Sequence, residues 1–126
     1  MAKIHIEQAT NEQLDYAVAV AQWWAIGYFH GIAMWDVSNN ESICAVKDYC
    51  PTTNQAQCGE LIDEHGIWTA KNPNGQWLAE FFNYSGGNKC RRIAKCNDKS
   101  RLIAAVKAFL WSKYPDGMIE VQDANR

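Results

Sequence analysis

Between Lys89 and Arg101 the chain reads KCRRIAKCNDKSR, which sets Lys89, Arg91, Arg92, Lys95, Lys99 and Arg101 against Asp98 alone. Cations at this density either guard a strand edge against aggregation or bind phosphate. In an extended chain Lys89, Arg91, Ile93 and Lys95 share one face, and Cys90, Arg92, Ala94 and Cys96 the other. The segment runs into the start of a helical pattern. There, unpaired backbone N–H groups and the helix dipole attract an anion, which Lys99, Ser100 and Arg101 would surround. The glycine spacing of a P-loop is absent, so nucleoside triphosphate hydrolysis is not indicated.

A second constellation is neutral and polar. In DYCPTTNQAQCGELIDEHGI, from Asp48 to Ile67, Pro51, Thr52, Thr53 and Asn54 make a rigid turn that starts a short helix. Thr53 or Asn54 caps this helix, and Gln57 remains available to backbone or ligand. Such groups suit a base or ribose, while Arg91, Arg92 and Arg101 suit its phosphates. Asp63, Glu64 and His65 end that helix, with His65 placed against the negative end of the dipole. A third constellation is aromatic: Trp23, Trp24, Tyr28, Phe29 and Trp35 are dense for so short a chain. Read as helix, Trp24 and Tyr28 share a face while Trp23 points elsewhere. One core cannot take all of them, so these five are expected at a homo-oligomer interface, most simply a two-fold dimer.

Reactive chemistry is thinner. His30 and Asp36 lie six positions apart with Gly31 between them, and no Ser, Cys or Thr stands beside an evident base. The five cysteines are odd in number and form no Cys-x-x-Cys pair, the pattern of free thiols rather than of a zinc site. No catalytic residue, metal or cofactor is therefore expected.

The elements that must position these groups follow from periodicity. Lys3 to Glu7 alternates as a strand does. Thr10 and Gln13 form a capping-box pattern ahead of Leu14, Val18 and Ala21, and that helix is expected to run toward Gly27 or Gly31. ICAV reads as a short strand. Ile67–Lys71 and Gln76–Phe82 flank the turn signal NPNG and form a hairpin, with KCRRIAKC as the third strand. Asn97 or Asp98 caps the clearest helix, whose Leu102, Ile103, Val106, Phe109 and Leu110 form a broad apolar stripe, and Pro115 and Gly117 end it. A last strand follows at Met118–Val121. The order predicts an α+β fold: a small antiparallel sheet, a meander of three or four strands, packed by a long C-terminal helix and an N-terminal helix. Trp68, Trp77, Phe81 and Ile93 are expected beneath the C-terminal helix.

With 126 residues, 48% hydrophobic and 21% charged, the chain suits a single domain over 1–126, and its net charge of −2 gives no general attraction to polyanions. The opening MAKIHIEQAT carries no long apolar core, so neither a signal nor a transit peptide is expected, and no stretch is long and apolar enough for a membrane. Tyr49, Pro51, Thr52, Thr53, Gln57, Gly59, Leu61 and Ile62, together with Leu102, Ala104, Ala105 and Phe109, resemble the phage-encoded NinX-like proteins, a family of unknown function. Cys58-Gly59-Glu60 departs from the family pattern, and QWWAIGYFHGIAMWDVSNN is particular to this chain. The resemblance implies an accessory protein of a bacteriophage or prophage acting in the host bacterial cytoplasm. The residues add the expectation of binding rather than catalysis: antagonism of a host defence protein, or sequestration of a small nucleotide-like anion. The alternatives are a nucleic-acid accessory using Lys89 to Arg101, and a small enzyme with a site not recognised.

Overall fold

A computed structural model describes residues 3–37, 41–83 and 91–121, with the side chains of 37, 41–42, 82–83 and 91–94 outside that description. In chain order the elements are β1 (Lys3–His5), α1 (Asn11–Ala21), β2 (Ala25–Phe29), β3 (Ile32–Val37), β4 (Glu41–Ala45), α2 (Gln55–His65), β5 (Ile67–Lys71), β6 (Trp77–Asn83), β7 (Arg91–Asp98), α3 (Arg101–Lys113) and β8 (Met118–Glu120). The fold is α+β, with three small antiparallel sheets, β1–β8, β2–β3–β4 and β5–β6–β7.

The central element is α3, which packs on β5, β6 and β7 and also touches α1 and α2. Its buried side is Ala104, Ala105, Val106, Ala108, Phe109 and Leu110. Three alanines among these let neighbours approach the helix axis, while Phe109 fills the space between them. Phe81 packs against Phe109 with ring centroids 6.3 Å apart, and Lys113 Nζ lies over both rings. Pairing of Ile67 with Phe81 and of Trp68 with Glu80 decides which side chains face the helix. Ile67, Ala79 and Phe81 face it, so Trp68 falls on the opposite face and is half exposed rather than buried beneath α3. The side chain of Ile93 lies outside the described residues.

Caps set the helix limits. Thr10 and Gln13 form the reciprocal capping box of α1, and Asn54 Oδ1 accepts from Gln57 N at 3.0 Å to begin α2. At α3 the cap is Ser100, whose Oγ accepts from Ile103 N, and Asp98 stands one step earlier by accepting from Ser100 N. β1 and β8 close the ends of the chain through Ile4 opposite Ile119.

The expected continuation of α1 toward Gly27 or Gly31 does not occur. The helix stops at Ala21, Trp23 takes a left-handed φ of 65°, and Ala25–Phe29 is a strand. The reason is the His30-Gly31 turn. Both residues have positive φ, 50° and 79°, the conformation that joins two strands with the twist a hairpin needs. Tyr28 then pairs across to Ala33, and Ile26 to Trp35. Trp24 and Tyr28 therefore do not share a helical face.

Candidate functional site

The three constellations fare differently. Ser100 Oγ is committed to the helix cap, and Asp98 brings a carboxylate to that same helix start. Arg101 Nε donates to Thr69 Oγ1 at 3.1 Å, and its guanidinium lies 5.9 Å from the Trp77 ring centroid. Lys107 Nζ pairs with Asp98 at 3.4 Å and Glu7 at 2.9 Å. Burial opposes the Lys107 charge, but Glu7 and Asp98 outweigh it and lift the pKa above the ordinary lysine value. Lys99 is exposed. The side chains of Arg91 and Arg92 lie outside the described residues. At the start of α3, Asp98, Ser100 and Arg101 thus already have partners within the fold.

The polar turn is likewise spent on structure. Gln57 Oε1 accepts from Cys50 N at 2.7 Å and its Nε2 donates to Asp48 O at 3.1 Å. Thr53 Oγ1 donates to Cys50 O, and Asn54 is the cap. Cys58, the next residue after Gln57, donates its thiol to Leu102 O at 3.7 Å, so α2 reaches the first turn of α3. Burial pushes the Cys58 thiol up to about 11, the nearby Arg101 lowering it only in part. That is a packed thiol rather than a nucleophile.

His65 is held against Phe109, ring centroids 4.6 Å apart, with Nε2 3.4 Å from Gln22 Oε1. Burial lowers its pKa, Lys113 adding to the effect and Glu64 opposing it. His30 sits in the hairpin turn, whereas Asp36 lies across from Ala25 at the far end of β2. Among the described residues no group of three or more His, Cys, Asp or Glu side chains is placed to hold a metal ion.

The aromatic constellation divides. Trp35 is 1% exposed and belongs to this chain's own core, packed on Tyr16 at 5.4 Å and Trp24 at 6.5 Å. Register explains this: Trp35 shares a sheet face with Ile26 and Cys44, and that face turns inward. Trp24 is half-buried against Tyr49 at 4.8 Å. Trp23, Tyr28 and Phe29 remain at the surface, 92%, 77% and 63% exposed. Ile32, opposite Phe29 in the hairpin, joins them at 50%.

Two clefts, each about 470 Å³, share Tyr49 as a wall beside this sheet. The first lies between α1, the β2–β3 hairpin and the turn at Val46–Cys50, and takes Glu12 and Asp15 from α1. The second takes Glu60 and Glu64 from α2, with Trp24 and Ile43. Ile43 is the extra residue where pairing shifts from Trp35 opposite Cys44 to Asp36 opposite Ser42. Asp15 is strongly altered by its surroundings. Its two oxygens accept from Thr52 N and Thr52 Oγ1, both at 2.9 Å, tying α1 to the turn that starts α2. Burial raises its pKa to about 6 despite those two bonds, with a smaller contribution from Glu12.

Glu12, Asp15, Tyr16, Glu60 and Glu64 were not singled out from the sequence as site residues. One signal was available: Asp15 stands three and four positions before Val18 and Ala19, which places a carboxylate on the buried stripe of α1. The four carboxylates that line the two clefts oppose Lys47 alone among the amines there.

A family model described as bacteriophage P22, NinX matches residues 6–113. The chain belongs to the NinX family. The match takes in α1, both clefts and all of α3, so the tether between Asp15 and Thr52 lies inside the NinX region. It also spans the hairpin. A comparison with curated proteins finds no match.

Proposed function

We propose that this NinX-family chain is a phage accessory protein that acts by binding another protein, with the β2–β3 hairpin as its contact surface. One observation carries the reading: Tyr28, Phe29 and Ile32 are exposed together at the turn end of a hairpin whose base is anchored by the buried Trp35, with Tyr28 on the Trp35 face and Phe29 and Ile32 on the other. A rigid strand pair that presents large apolar rings to water gains free energy when a partner covers them. Aromatic side chains are the ones enriched at such contacts. Antagonism of a host defence protein in the bacterial cytoplasm is a use that fits this surface.

A nucleotide-like anion is less well served. The polar groups around Ser100, Arg101 and Gln57 are engaged within the fold, and the clefts are lined by carboxylates. Self-association through the same hairpin is an alternative occupant that one assay resolves. The test is quantitative capture of partners by tagged chain from host cells, wild type against Tyr28→Ser with Phe29→Ser, alongside light scattering of the purified chain. The reading expects one partner at near-stoichiometric yield that the double variant loses. Equal recovery on both, or a dimer that only the wild type forms with no other partner, contradicts it.

A further inference from the structure

We infer that the cleft between α1 and the β2–β3 hairpin is a socket for an arginine side chain of the partner, flanked there by an apolar residue that covers the hairpin. The inference rests on the protein-binding reading and specifies the chemistry of the partner.

The geometry suits a guanidinium. The α1 wall supplies Glu12 and Asp15, and Tyr16 and Tyr49 supply aromatic surface. A planar cation that stacks on rings and pairs with carboxylates is arginine rather than the compact, strongly hydrated ammonium of lysine. Asp15 already accepts two hydrogen bonds from Thr52, yet a carboxylate offers about four lone-pair positions and retains room for a donor. Those same bonds fix its orientation, so little side-chain freedom is lost when a ligand arrives. A volume of about 470 Å³ exceeds what one water needs and falls within the range of ligand clefts. Lys47, on the turn at 46–48, is the one amine of the lining and leaves the α1 wall negative. Ile32 and Ala33 bring the hairpin to the same cleft. An apolar neighbour of the arginine is thereby placed over Ile32 and its cross-strand partner Phe29. Charge therefore selects the occupant: a second copy of this chain would have to bring one of its own four arginines, of which Arg101 is already engaged with Thr69, whereas a basic partner segment matches directly.

The probe is acetyl-Leu-Arg-Leu-amide, titrated at millimolar concentration into isotope-labelled chain and followed by backbone amide shifts. Acetyl-Leu-Glu-Leu-amide is the control. Shifts confined to Glu12–Tyr16, Ile32–Ala33 and Val46–Cys50 with the arginine peptide alone are expected. Glu12→Gln should weaken them about tenfold, as the loss of a charge partner does. Asp15→Asn, which keeps both bonds to Thr52, should do the same. Equal shifts from both peptides, shifts centred on Lys95–Arg101, or undiminished binding to Glu12→Gln and Asp15→Asn would each overturn the inference. The two levels separate in the capture assay. A partner lost with Tyr28→Ser and Phe29→Ser but kept with Glu12→Gln and Asp15→Asn refutes the socket and leaves the binding reading standing. A partner kept by every variant removes the binding reading itself.

Discussion

Replacing Asp15 with Asn tests how the fold spends free energy at its cleft. The carboxylate is buried, and burial lifts its pKa from 3.8 in an ordinary aspartate to about 6, against the pull of two bonds from Thr52. Since the folded-state value lies above the unfolded one, the folded chain holds the proton more tightly. The stability this contributes is complete below pH 3.8 and is lost as pH rises through about 6. A shift of about 2 units at ~1.36 kcal/mol each sets the span at up to about 3 kcal/mol, less where water reaches the carboxylate through the cleft. The amide introduced by Asp15→Asn would still accept from Thr52 N and would donate to Thr52 Oγ1, so the tether survives without the charge. His65 has its pKa lowered by burial and so loses stability in acid, which makes the informative quantity a difference between the two chains. Urea unfolding at about pH 4 and about pH 7.5 supplies it. The wild type should lose about 2 to 3 kcal/mol more than Asp15→Asn between these values, on the order of 10 °C in midpoint. Identical pH dependence in the two chains would refute the argument that Asp15 is buried at the expense of its charge.

Other outcomes follow from packing and caps. Phe109→Ala empties the centre of the core and should cost about 3 to 5 kcal/mol in chemical denaturation. Asn54→Ala removes the cap of α2 and should cost about 1 kcal/mol. Gly117→Ala would drive a Cβ into Trp111 and His5 at a φ of 76°, and a midpoint lowered by several degrees is expected. At Trp23, where a φ of 65° strains any side chain, Trp23→Gly should leave stability unchanged or raise it by up to about 1 kcal/mol. The thiols of Cys58 and Cys96, each with its pKa pushed by burial to about 11, should resist a thiol reagent at about pH 8 until the chain unfolds.

Strong periodicity was legible and compact turn chemistry was not. The stripe of α3, the capping box of α1 and the hairpin at Asn72–Gly75 all appear where the residue patterns place them. Local hydrogen bonds specify each, so a single sequence carries them. The run AQWWAIGYFHG failed as a helix because His30 and Gly31 make a two-residue turn, a signal weaker than Asn-Gly and hidden among apolar residues. That one turn converts a helical face into two strands and decides that Trp35 is core while Tyr28 and Phe29 are surface. Trp68 failed for a related reason: strand alternation gives two faces, and only the register with β6 tells which one α3 covers. The site was hidden at greater range. Asp15 and Thr52 are 37 positions apart and meet only through the fold, as do Arg101 and Thr69. Arg101, which looks available in sequence, is committed in three dimensions.

Hydrogen exchange of the chain alone and in complex with its captured partner tests the central claim most directly. The account predicts new amide protection over Ile26–Met34 and Val46–Cys50, the hairpin and the neighbouring wall of the acidic cleft. Protection confined to Lys95–Arg101, with the hairpin exchanging as fast as in the free chain, would contradict it.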